Sequence, residues 1–439
     1  MSVEIAAIVM FVIVIALIMI GNHVAWAMGS VSLLFGLFLF GESALYQAAL
    51  SVYGVVVTYP FVAVSLFVLM GTLLQQTGVA DKLFESVHML TANIKGGLAL
   101  ATVIIAAIFG ACTGIAGASV VTIGLLAMPS MLKARYNRGL VAGTICAGGG
   151  LGVIIPPSIV AILYGPNAGV SIAALFTACI VPGVLLTILY LGYIYLRCRI
   201  NPEMGPPLNV ENKMSKAVLL RQVAINLIPP IVLILGVMGS IMFGIAAPTE
   251  AASVGVLGSL ALALFYKKLS WKNFKLAILD STRITAMVIF IAVGAKIFTT
   301  FFLNMEGGAL IQEAFGALKV NPLMTLIAML LLNFILGMVF DWIGIIFILV
   351  PLYVPIIASL GFDPLWFGVL FCVVLQISYM TPPFAYSIFY LRGVAPPEMT
   401  LNEMYRGGIP FVIIQTMFVI LLIIFPQIVL WLPSLSLAK

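Results

Sequence analysis

Two short stretches decide the fold: Gly114–Ser119, which reads GIAGAS, and Gly337–Asp341, which reads GMVFD. Each interrupts a long apolar segment near its middle, 97–132 in one case and 322–360 in the other. Such segments are too long for one membrane span of about 20 residues and too short for two comfortable spans. We therefore predict two re-entrant hairpins, which enter the membrane, turn at mid-depth and leave on the same side.

The composition requires a membrane around these hairpins. The 439 residues are 63% hydrophobic and 8% charged, whereas soluble domains are about 45–50% apolar and about 25% charged. The chain has room for about ten spanning helices, which gives an all-α integral membrane protein in one domain, residues 1–439. The net charge of +6 is dispersed in short breaks between apolar segments, so it is a topology signal and does not indicate nucleic acid as a partner, whereas the apolar segments predict contact with membrane lipid.

The basic residues predict the topology. Three clusters are separated by two predicted spans each, so they lie on one side, which should be the cytoplasm. Counting from them, the first hairpin opens to the cytoplasm, the second opens to the outside, and both termini are external. The clusters are Lys133, Arg135 and Arg138; Arg197, Arg199, Lys213, Lys216 and Arg221; and Lys267, Lys268, Lys272 and Lys275.

The two halves also share an order of helix breaks. Each hairpin is followed by a Pro-Pro pair inside an apolar helix, Pro156–Pro157 in the first half and Pro382–Pro383 in the second. The repeat cores are residues 97–199 and 322–432, and the opposite openings of the hairpins make the repeat inverted. Inverted repeats with broken helices are typical of secondary transporters. Coincidental proline kinks are the alternative.

The breaks suit ions at mid-membrane. Ser119, Asp341 and Thr381 are placed as N-caps of half-helices, whose partly positive N-termini favour an anion. A glycine run, 148–152, frees backbone carbonyls that could bind Na⁺, although close helix packing is the alternative. The predicted Na⁺ ligands are Gly114, Ser119, Gly149, Gly152, Gly337, Asp341, Ser378 and Thr381, and the predicted substrate contacts are Ser119, Pro157, Ser158, Asp341, Thr381 and Pro383.

Asp341 is the sharpest single candidate. A carboxylate at the centre of a spanning helix costs about 2.5–3.5 kcal/mol, so it should face a cavity, a cation or a partner. A pure helix cap is the alternative. Glu250, Arg283 and Lys296 also lie near apolar stretches, where we expect ion pairs or interfacial positions. The mixed segment 77–95 is expected to be an interfacial arm, with 307–319 as its partner in the second half.

At these motifs the sequence resembles the large membrane subunit of TRAP transporters, the tripartite ATP-independent periplasmic carriers. The resemblance covers nearly the whole chain. It rests on GASVVTIGLLAMPSML, LGVIIPPSI, GMVFDWIG followed by LVPLYVP, and LGFDPLWFG with TPPFAYSIFYLRGVAPPE. Many family members carry Ser or Thr where this chain has Gly149 and Gly150, and Pro-Thr where it has Trp342–Ile343. The first difference leaves ligation there to backbone carbonyls.

The resemblance implies an elevator-type permease of the bacterial inner membrane. It implies Na⁺-coupled uptake of an organic acid, such as a dicarboxylate or another carboxylate. It also implies two partners, a periplasmic substrate-binding protein and a smaller four-helix membrane subunit, which we expect to be a separate chain. The family's ion sites lie at the hairpin tips and the facing helix breaks.

Other functions remain as alternatives. The sequence has no HExxH motif, no GxSG elbow and no pair of intramembrane aspartates, so no enzymatic activity is expected. A channel would need a continuous polar pore, whereas the polar residues gather at two internal breaks. A proton-coupled or uniporting carrier of the same fold is the third alternative.

Overall fold

The computed structural model describes residues 3–91, 93–207, 216–317 and 321–436, and the predicted basic residue Lys213 lies outside them. Apart from two short 3₁₀ turns, the regular structure in these ranges is α-helical. The helices are α1 Val3–Met19, α2 Val24–Phe40, α3 Ser43–Val56, α4 Pro60–Gln76, α5 Val79–Thr91, α6 Gly97–Thr113, α7 Ala116–Lys133, α8 Arg138–Gly150, α9 Ile159–Ala168, α10 Ile172–Ile200, α11 Lys216–Met242, α12 Pro248–Phe265, α13 Trp271–Asn304, α14 Gly307–Ala317, α15 Pro322–Gly337, α16 Trp342–Ser359, α17 Pro364–Ser378, α18 Tyr386–Arg392, α19 Leu401–Ile424 and α20 Gln427–Ser436.

Helices α1–α4 and α11–α13 form what we call the framework bundle. Its centre is α13, which packs against α2, α3 and α4. Small residues allow the close approach: a Cβ on Gly294 of α13 would lie 2.4 Å from the Ala25 carbonyl oxygen of α2. Because lipid gives helices no hydrophobic reason to associate, such backbone contacts and interhelical hydrogen bonds stabilise the bundle. One such bond runs from the Thr72 hydroxyl to the Ala277 carbonyl, 3.1 Å.

Helices α6–α10 and α15–α20 form the hairpin bundle. Two helix pairs occupy the segments predicted as hairpins, α6 with α7 and α15 with α16, and their breaks fall at residues 114–115 and 338–341. Their re-entry into the membrane stays a prediction. The helices exchange partners between halves. Helix α9, after the first Pro-Pro pair, packs against α16, while α18, after the second, packs against α7. Likewise α8 packs against α19, and α10 packs against α17.

A buried polar cluster joins three helices of the hairpin bundle. The Tyr190 hydroxyl of α10 accepts hydrogen bonds from the amides of Gln376 on α17 and Gln415 on α19. All three side chains are fully buried. Since a buried polar group without a partner costs about 1–3 kcal/mol, this cluster fixes how the three helices meet.

The number of described helices that meet the length and composition required for a span is lower than the ten predicted. In the part of the chain that the structure describes, seven helices are long and apolar enough to cross a membrane: α7, α10, α11, α12, α13, α16 and α19. Helices α3 and α4 meet at a 50° bend, and they make an eighth span if counted together. Pro60 explains the break, because proline cannot donate a backbone bond to the preceding turn. Six further apolar helices are shorter.

The charged residues near apolar stretches have local partners, with one exception. Glu250 caps α12 by accepting from the Ala247 amide at 2.8 Å. Arg283 pairs with Asp280 at 3.6 Å. No ion pair to Lys296 occurs within the described ranges. The five cysteines are free and buried.

Candidate transport site

The first break is built around Gly114. This residue ends α6 in the left-handed conformation, φ +63°, and its amide donates to the Gly110 carbonyl at 2.8 Å. A Cβ on Gly114 would lie 2.9 Å from the Pro157 carbonyl oxygen, so only glycine fits both the turn and the contact. The tip of the first hairpin therefore rests on the first Pro-Pro pair, and these two predicted site residues lie together.

The prediction that Ser119 caps the second hairpin arm was wrong. Helix α7 begins at Ala116, with Ile115 in the N-cap position, because the chain resumes its helix directly after the glycine. Ser119 lies one turn inside, fully buried, and its hydroxyl is 2.8 Å from the Thr113 hydroxyl across the hairpin. It ties the two arms together and keeps acceptor capacity for an ion.

The glycine run packs helices closely. A Cβ on Gly149 would lie 2.4 Å from the Val120 side chain, and a Cβ on Gly152 would lie 3.0 Å from Gly110 Cα. Both contacts bring α8 and the following turn against the first hairpin. The structure therefore supports the packing role of these glycines, while a role of their carbonyls in binding Na⁺ stays a prediction.

Ser158 follows the first Pro-Pro pair and is the N-cap of α9. Its hydroxyl accepts from the Ala161 amide at 3.5 Å and donates to the Val153 carbonyl. The side chain is fully buried. The Pro156–Pro157 and Pro382–Pro383 peptides are both cis. The half-helix start predicted at this break is therefore present, with a serine as its cap.

At the second break, Asp341 is the N-cap of α16, as predicted. Its carboxylate accepts from the Ile343 amide at 3.2 Å. Gly337 ends the preceding arm, and a Cβ there would lie 2.5 Å from the Ser378 hydroxyl oxygen. Ser378 in turn donates toward the Phe334 carbonyl at 3.1 Å. The second hairpin is thus pressed against the end of α17, which brings Gly337, Asp341 and Ser378 into one region.

Thr381 is not an N-cap, contrary to the prediction. Its hydroxyl donates backwards to the Ile377 carbonyl at 2.8 Å, because the chain does not become helical until Tyr386. The N-cap of α18 is Ala385, in the left-handed conformation with φ +45°. Pro383 lies in the turn between them. Donation to a carbonyl leaves the lone pairs of Thr381 available, so its predicted role as an ion ligand is untouched.

Helix α18 contacts both hairpin tips. The Tyr386 hydroxyl donates to the Val339 carbonyl at the second tip, 3.3 Å. At the first tip, the Tyr390 ring lies 2.6 Å from the position that a Cβ on Gly117 would occupy. The short helix after the second Pro-Pro pair therefore connects the breaks of both halves.

A cavity lies between the hairpin tips and α13. Its lining includes two of the predicted site residues, Gly114 and Asp341. The other predicted residues pack around the breaks and do not line this cavity. Its wall from the hairpin bundle is Gly114, Ile115, Ala116, Gly117, Val153, Val160, Asp341, Trp342, Tyr379, Tyr386, Ser387 and Tyr390, and its wall from the framework bundle is Ile284, Met287 and Val288.

The tyrosines and α13 were missed by the sequence analysis. The stretch FAYSIFY directly after Pro383 carried a signal, since four aromatic rings within seven residues follow a predicted break. The residues of α13 gave none, because apolar residues that face a cavity and those that face lipid look the same in sequence. Tyr379 is buried, and its hydroxyl has no hydrogen-bond partner.

The charge on the described lining of the cavity is negative. Among the described lining residues, Asp341 is the single charged group, and no lysine, arginine or histidine accompanies it. The amides of the first turn of α7, at Ala116 and Gly117, supply the partly positive end of a helix. Within the described ranges, no three His, Cys, Asp or Glu side chains could hold a metal ion together. The oxygen donors near the breaks, Asp341, Ser119 and Thr381 with backbone carbonyls, suit a hard monovalent cation.

Comparison with known proteins decides the family. Residues 11–428 match the model described as the tripartite ATP-independent periplasmic transporter, DctM component. The chain belongs to this TRAP permease family. The resemblance seen in the sequence is confirmed, and the permease is a multi-pass protein of the bacterial inner membrane and not an enzyme.

Curated relatives match over most of the permease. The C4-dicarboxylate TRAP transporter large permease of Vibrio cholerae is 28% identical, over 98% of both chains. The sialic acid TRAP transporter large permease of the same organism is 28% identical, over 96% of this chain and 97% of the relative. The ectoine/5-hydroxyectoine permease of Ruegeria pomeroyi is 32% identical, over 86% and 87%.

A solved structure shares the fold. The YdaH transporter of Alcanivorax borkumensis superposes with a TM-score of 0.62 at 16% identity, covering 89% of the permease and 90% of that chain. At this identity the likeness concerns the fold alone. The overall helical fold is therefore one that a known transporter adopts.

Proposed function

We propose that the permease is the large subunit of a Na⁺-coupled uptake system for an organic acid. The observation that carries this proposal is the charge of the cavity, which holds Asp341 and no basic side chain among its described residues. An anionic substrate beside a carboxylate needs positive charge. The first turn of α7 provides a partial charge, and bound Na⁺ would supply the rest.

The proposed ion sites use the residues of the breaks. In the first half they are Gly114 and Ser119 with Gly149 and Gly152, and in the second they are Gly337 and Asp341 with Ser378 and Thr381. The proposed substrate contacts are Ser119, Pro157, Ser158, Asp341, Thr381 and Pro383. Asp341 and Gly114 face the cavity already, which supports their place in this set.

The partners follow from the family. A periplasmic binding protein would deliver the substrate, and a separate four-helix membrane subunit would complete the permease in the lipid bilayer. The named relatives transport C4-dicarboxylates, sialic acid or ectoine, so a carboxylate is the shared feature. We propose a carboxylate substrate on this basis.

An elevator movement fits the two bundles. We propose ten spans and two hairpins in one permease domain, with cores 97–199 and 322–432 related by an inverted repeat. The exchanged packing of α9 with α16 and of α18 with α7 supports that relation. The cavity lies where the hairpin bundle faces α13, so sliding of one bundle along the other would carry the substrate across the membrane.

Uptake in proteoliposomes tests the proposal. The permease is reconstituted with its small subunit and binding protein, and radiolabelled succinate, sialic acid and ectoine are offered with and without a Na⁺ gradient. Saturable uptake of one of them, dependent on both Na⁺ and the binding protein, is the expected result. Uptake driven by a proton gradient alone, or gradient-independent exchange, would establish a proton-coupled carrier or a uniporter. Conductance without saturation would establish a channel.

A further inference from the structure

Lys296 occupies an unusual place on α13. It lies 24 residues beyond Lys272 of the cytoplasmic cluster, which corresponds to about 36 Å along a helix, more than the roughly 30 Å of the hydrocarbon core. It therefore belongs to the outer part of the membrane, where basic residues are disfavoured by the positive-inside rule. A basic side chain at this depth needs a reason.

Lys296 lines a second cavity. This cavity has a volume of about 280 Å³ and lies between the two bundles. Its polar lining residues are Thr58 at the bend of α3 and α4, Asn167 of α9, and Lys296 itself. Phe61 and Phe347 form an apolar wall, with their rings stacked at 6.4 Å. Because both bundles contribute to the lining, the exposed side chain of Lys296 borders a partly open space between them.

The lysine brings a positive charge without a protein counter-charge. Its side chain is exposed, and no carboxylate lies within 4 Å of it in the described ranges. Arg283, on the same helix, has such a carboxylate in Asp280. An unpaired positive charge beside a cavity attracts anions and raises their local concentration there.

The two cavities share α13. Val288 lines the cavity at the hairpin tips, and Lys296 follows it by eight residues, about 12 Å further toward the outside. A small carboxylate moving from the external side to the tips would pass the lysine first. The cavity at the hairpin tips has no basic residue among its described lining residues. Lys296 therefore supplies a full positive charge that the cavity at the tips lacks.

We propose that Lys296, with Thr58 and Asn167, forms an outer carboxylate-binding subsite on the access route to the hairpin tips. The inference rests on the proposed function, since it takes the substrate to be a carboxylate. The subsite attracts the anion electrostatically and raises its local concentration before it reaches Asp341.

Cysteine labelling tests the subsite without knowledge of the substrate. Asn167→Cys is exposed in right-side-out vesicles to two membrane-impermeant methanethiosulfonates, one bearing a sulfonate and one a trimethylammonium. With Lys296 present, the ratio of the anionic reagent's rate to the cationic reagent's rate should be higher at Asn167→Cys than it is after Lys296 is replaced by a neutral residue. Lys296→Gln should lower that rate ratio about threefold or more, and Lys296→Arg should preserve it. The native cysteines are buried, so their background labelling should be low.

The matched control is Ser43→Cys, an exposed position at the start of α3, some 15 residues before Thr58. Its rate ratio should not change between Lys296 and Lys296→Gln. If neither reagent reaches Asn167→Cys, the position faces lipid headgroups and the subsite is overturned. An unchanged ratio in Lys296→Gln would overturn it as well.

Transport kinetics provide the second readout. In proteoliposomes supplied with succinate, sialic acid or ectoine, Lys296→Gln should raise KM about tenfold with kcat within about twofold, and it should flatten the dependence of KM on salt. A wild-type KM in Lys296→Gln would contradict the proposal. If the unmodified permease takes up none of the three compounds, the proposed function fails, whereas the labelling ratios still decide whether the lysine serves an anion-accessible cavity.

Discussion

At the scale of single residues, Asp341 separates a structural role from a functional one. As an N-cap it accepts from the Ile343 amide, and as a carboxylate it charges the cavity. Asparagine caps a helix about as well as aspartate but carries no charge. We therefore expect Asp341→Asn to keep the thermal unfolding temperature of the purified permease and to reduce Na⁺-driven uptake more than tenfold.

Asp363 offers the matched control for this prediction. Like Asp341, it is an N-cap: its carboxylate accepts a hydrogen bond from the Leu365 amide at 2.7 Å, at the start of α17. It does not line the cavity. Asp363→Asn should therefore leave both uptake and unfolding temperature close to those of the unmodified protein. Equal losses of uptake in the two variants would show that Asp341 acts only as a cap.

The same residues show how far local sequence reasoning reached. Asp341 could be assigned because an aspartate between an apolar arm and a new apolar helix is a strong N-cap signal. Ser119 and Thr381 could not, because their roles depend on where the helix resumes. The αL turn at Gly114 restarts the helix three residues before Ser119, and the turn after Pro382–Pro383 delays it to Tyr386.

At the scale of helices, the crossing of α8 and α19 depends on glycine. A Cβ on Gly143 would lie 2.1 Å from the Gly407 carbonyl oxygen, so the helices would have to separate. We expect Gly143→Ala to destabilise the permease by about 1–3 kcal/mol, the usual cost of overpacking. The measurement is the thermal unfolding temperature in detergent.

Gly192→Ala is the control for that crossing. Gly192 lies within α10, and a Cβ there meets nothing within 4 Å. Alanine should stabilise a helix at such a position by about 0.5–1 kcal/mol, because it reduces the freedom of the unfolded chain. The two glycine substitutions should thus shift the unfolding temperature in opposite directions, and a shift of the same sign would refute the packing argument.

The cluster around Tyr190 gives a third prediction. Tyr190→Phe removes the acceptor shared by Gln376 and Gln415 and leaves two buried amides without it, at a cost of about 1–3 kcal/mol. Tyr195→Phe, on the exposed face of the same helix, loses a bond from Arg199 and should change stability by no more than about 0.5 kcal/mol. Chemical denaturation of both variants measures the difference. Similar midpoints would mean that the cluster adds nothing to stability.

At the scale of the whole molecule, the proposed movement can be blocked. Phe61 of α4 and Phe347 of α16 belong to different bundles. Their rings stack with centroids 6.4 Å apart and line the second cavity, the one that Lys296 also lines. Replacing both with cysteine and joining them with a short bis-methanethiosulfonate, which forms a disulfide to each thiol and releases methanesulfinate, should stop uptake, and reduction of the two disulfides should restore it. Uptake that continued after complete cross-linking would contradict an elevator movement between these bundles.

A cross-link within one bundle provides the comparison. The hydroxyls of Ser51 on α3 and Thr300 on α13 lie 2.9 Å apart, and both helices belong to the framework bundle. A disulfide between Ser51→Cys and Thr300→Cys should therefore leave uptake nearly unchanged. The pair distinguishes blocked sliding from general damage by oxidation or cross-linking.

The division into bundles lay beyond sequence reasoning for a physical reason. The hairpins, the glycine breaks and the Pro-Pro pairs are local signals, and the structure places helix breaks at each of them. Which helices face each other is set by contacts between distant segments. The tyrosines of α18 at the cavity and the passage of α13 beside both cavities are of that kind. Even the 50° bend at Pro60 was hidden, since apolar residues continue through it.

Helix α18 has one further consequence, for the thermodynamics of transport. Because its two tyrosines contact the tips of both hairpins, a ligand that shifts one tip also changes the free energy of occupying the other. Such linkage is reciprocal, so two ligands bound at the two tips would change each other's affinity by the same factor, whether upward or downward. A coupling of 1–3 kcal/mol, the common range, corresponds to about 5- to 150-fold. Helix α18 has seven residues. If the permease is Na⁺-coupled as proposed, the rigidity of this helix would determine how strictly substrate and Na⁺ are transported together. Substitutions that loosen α18 should therefore allow Na⁺ to cross without substrate.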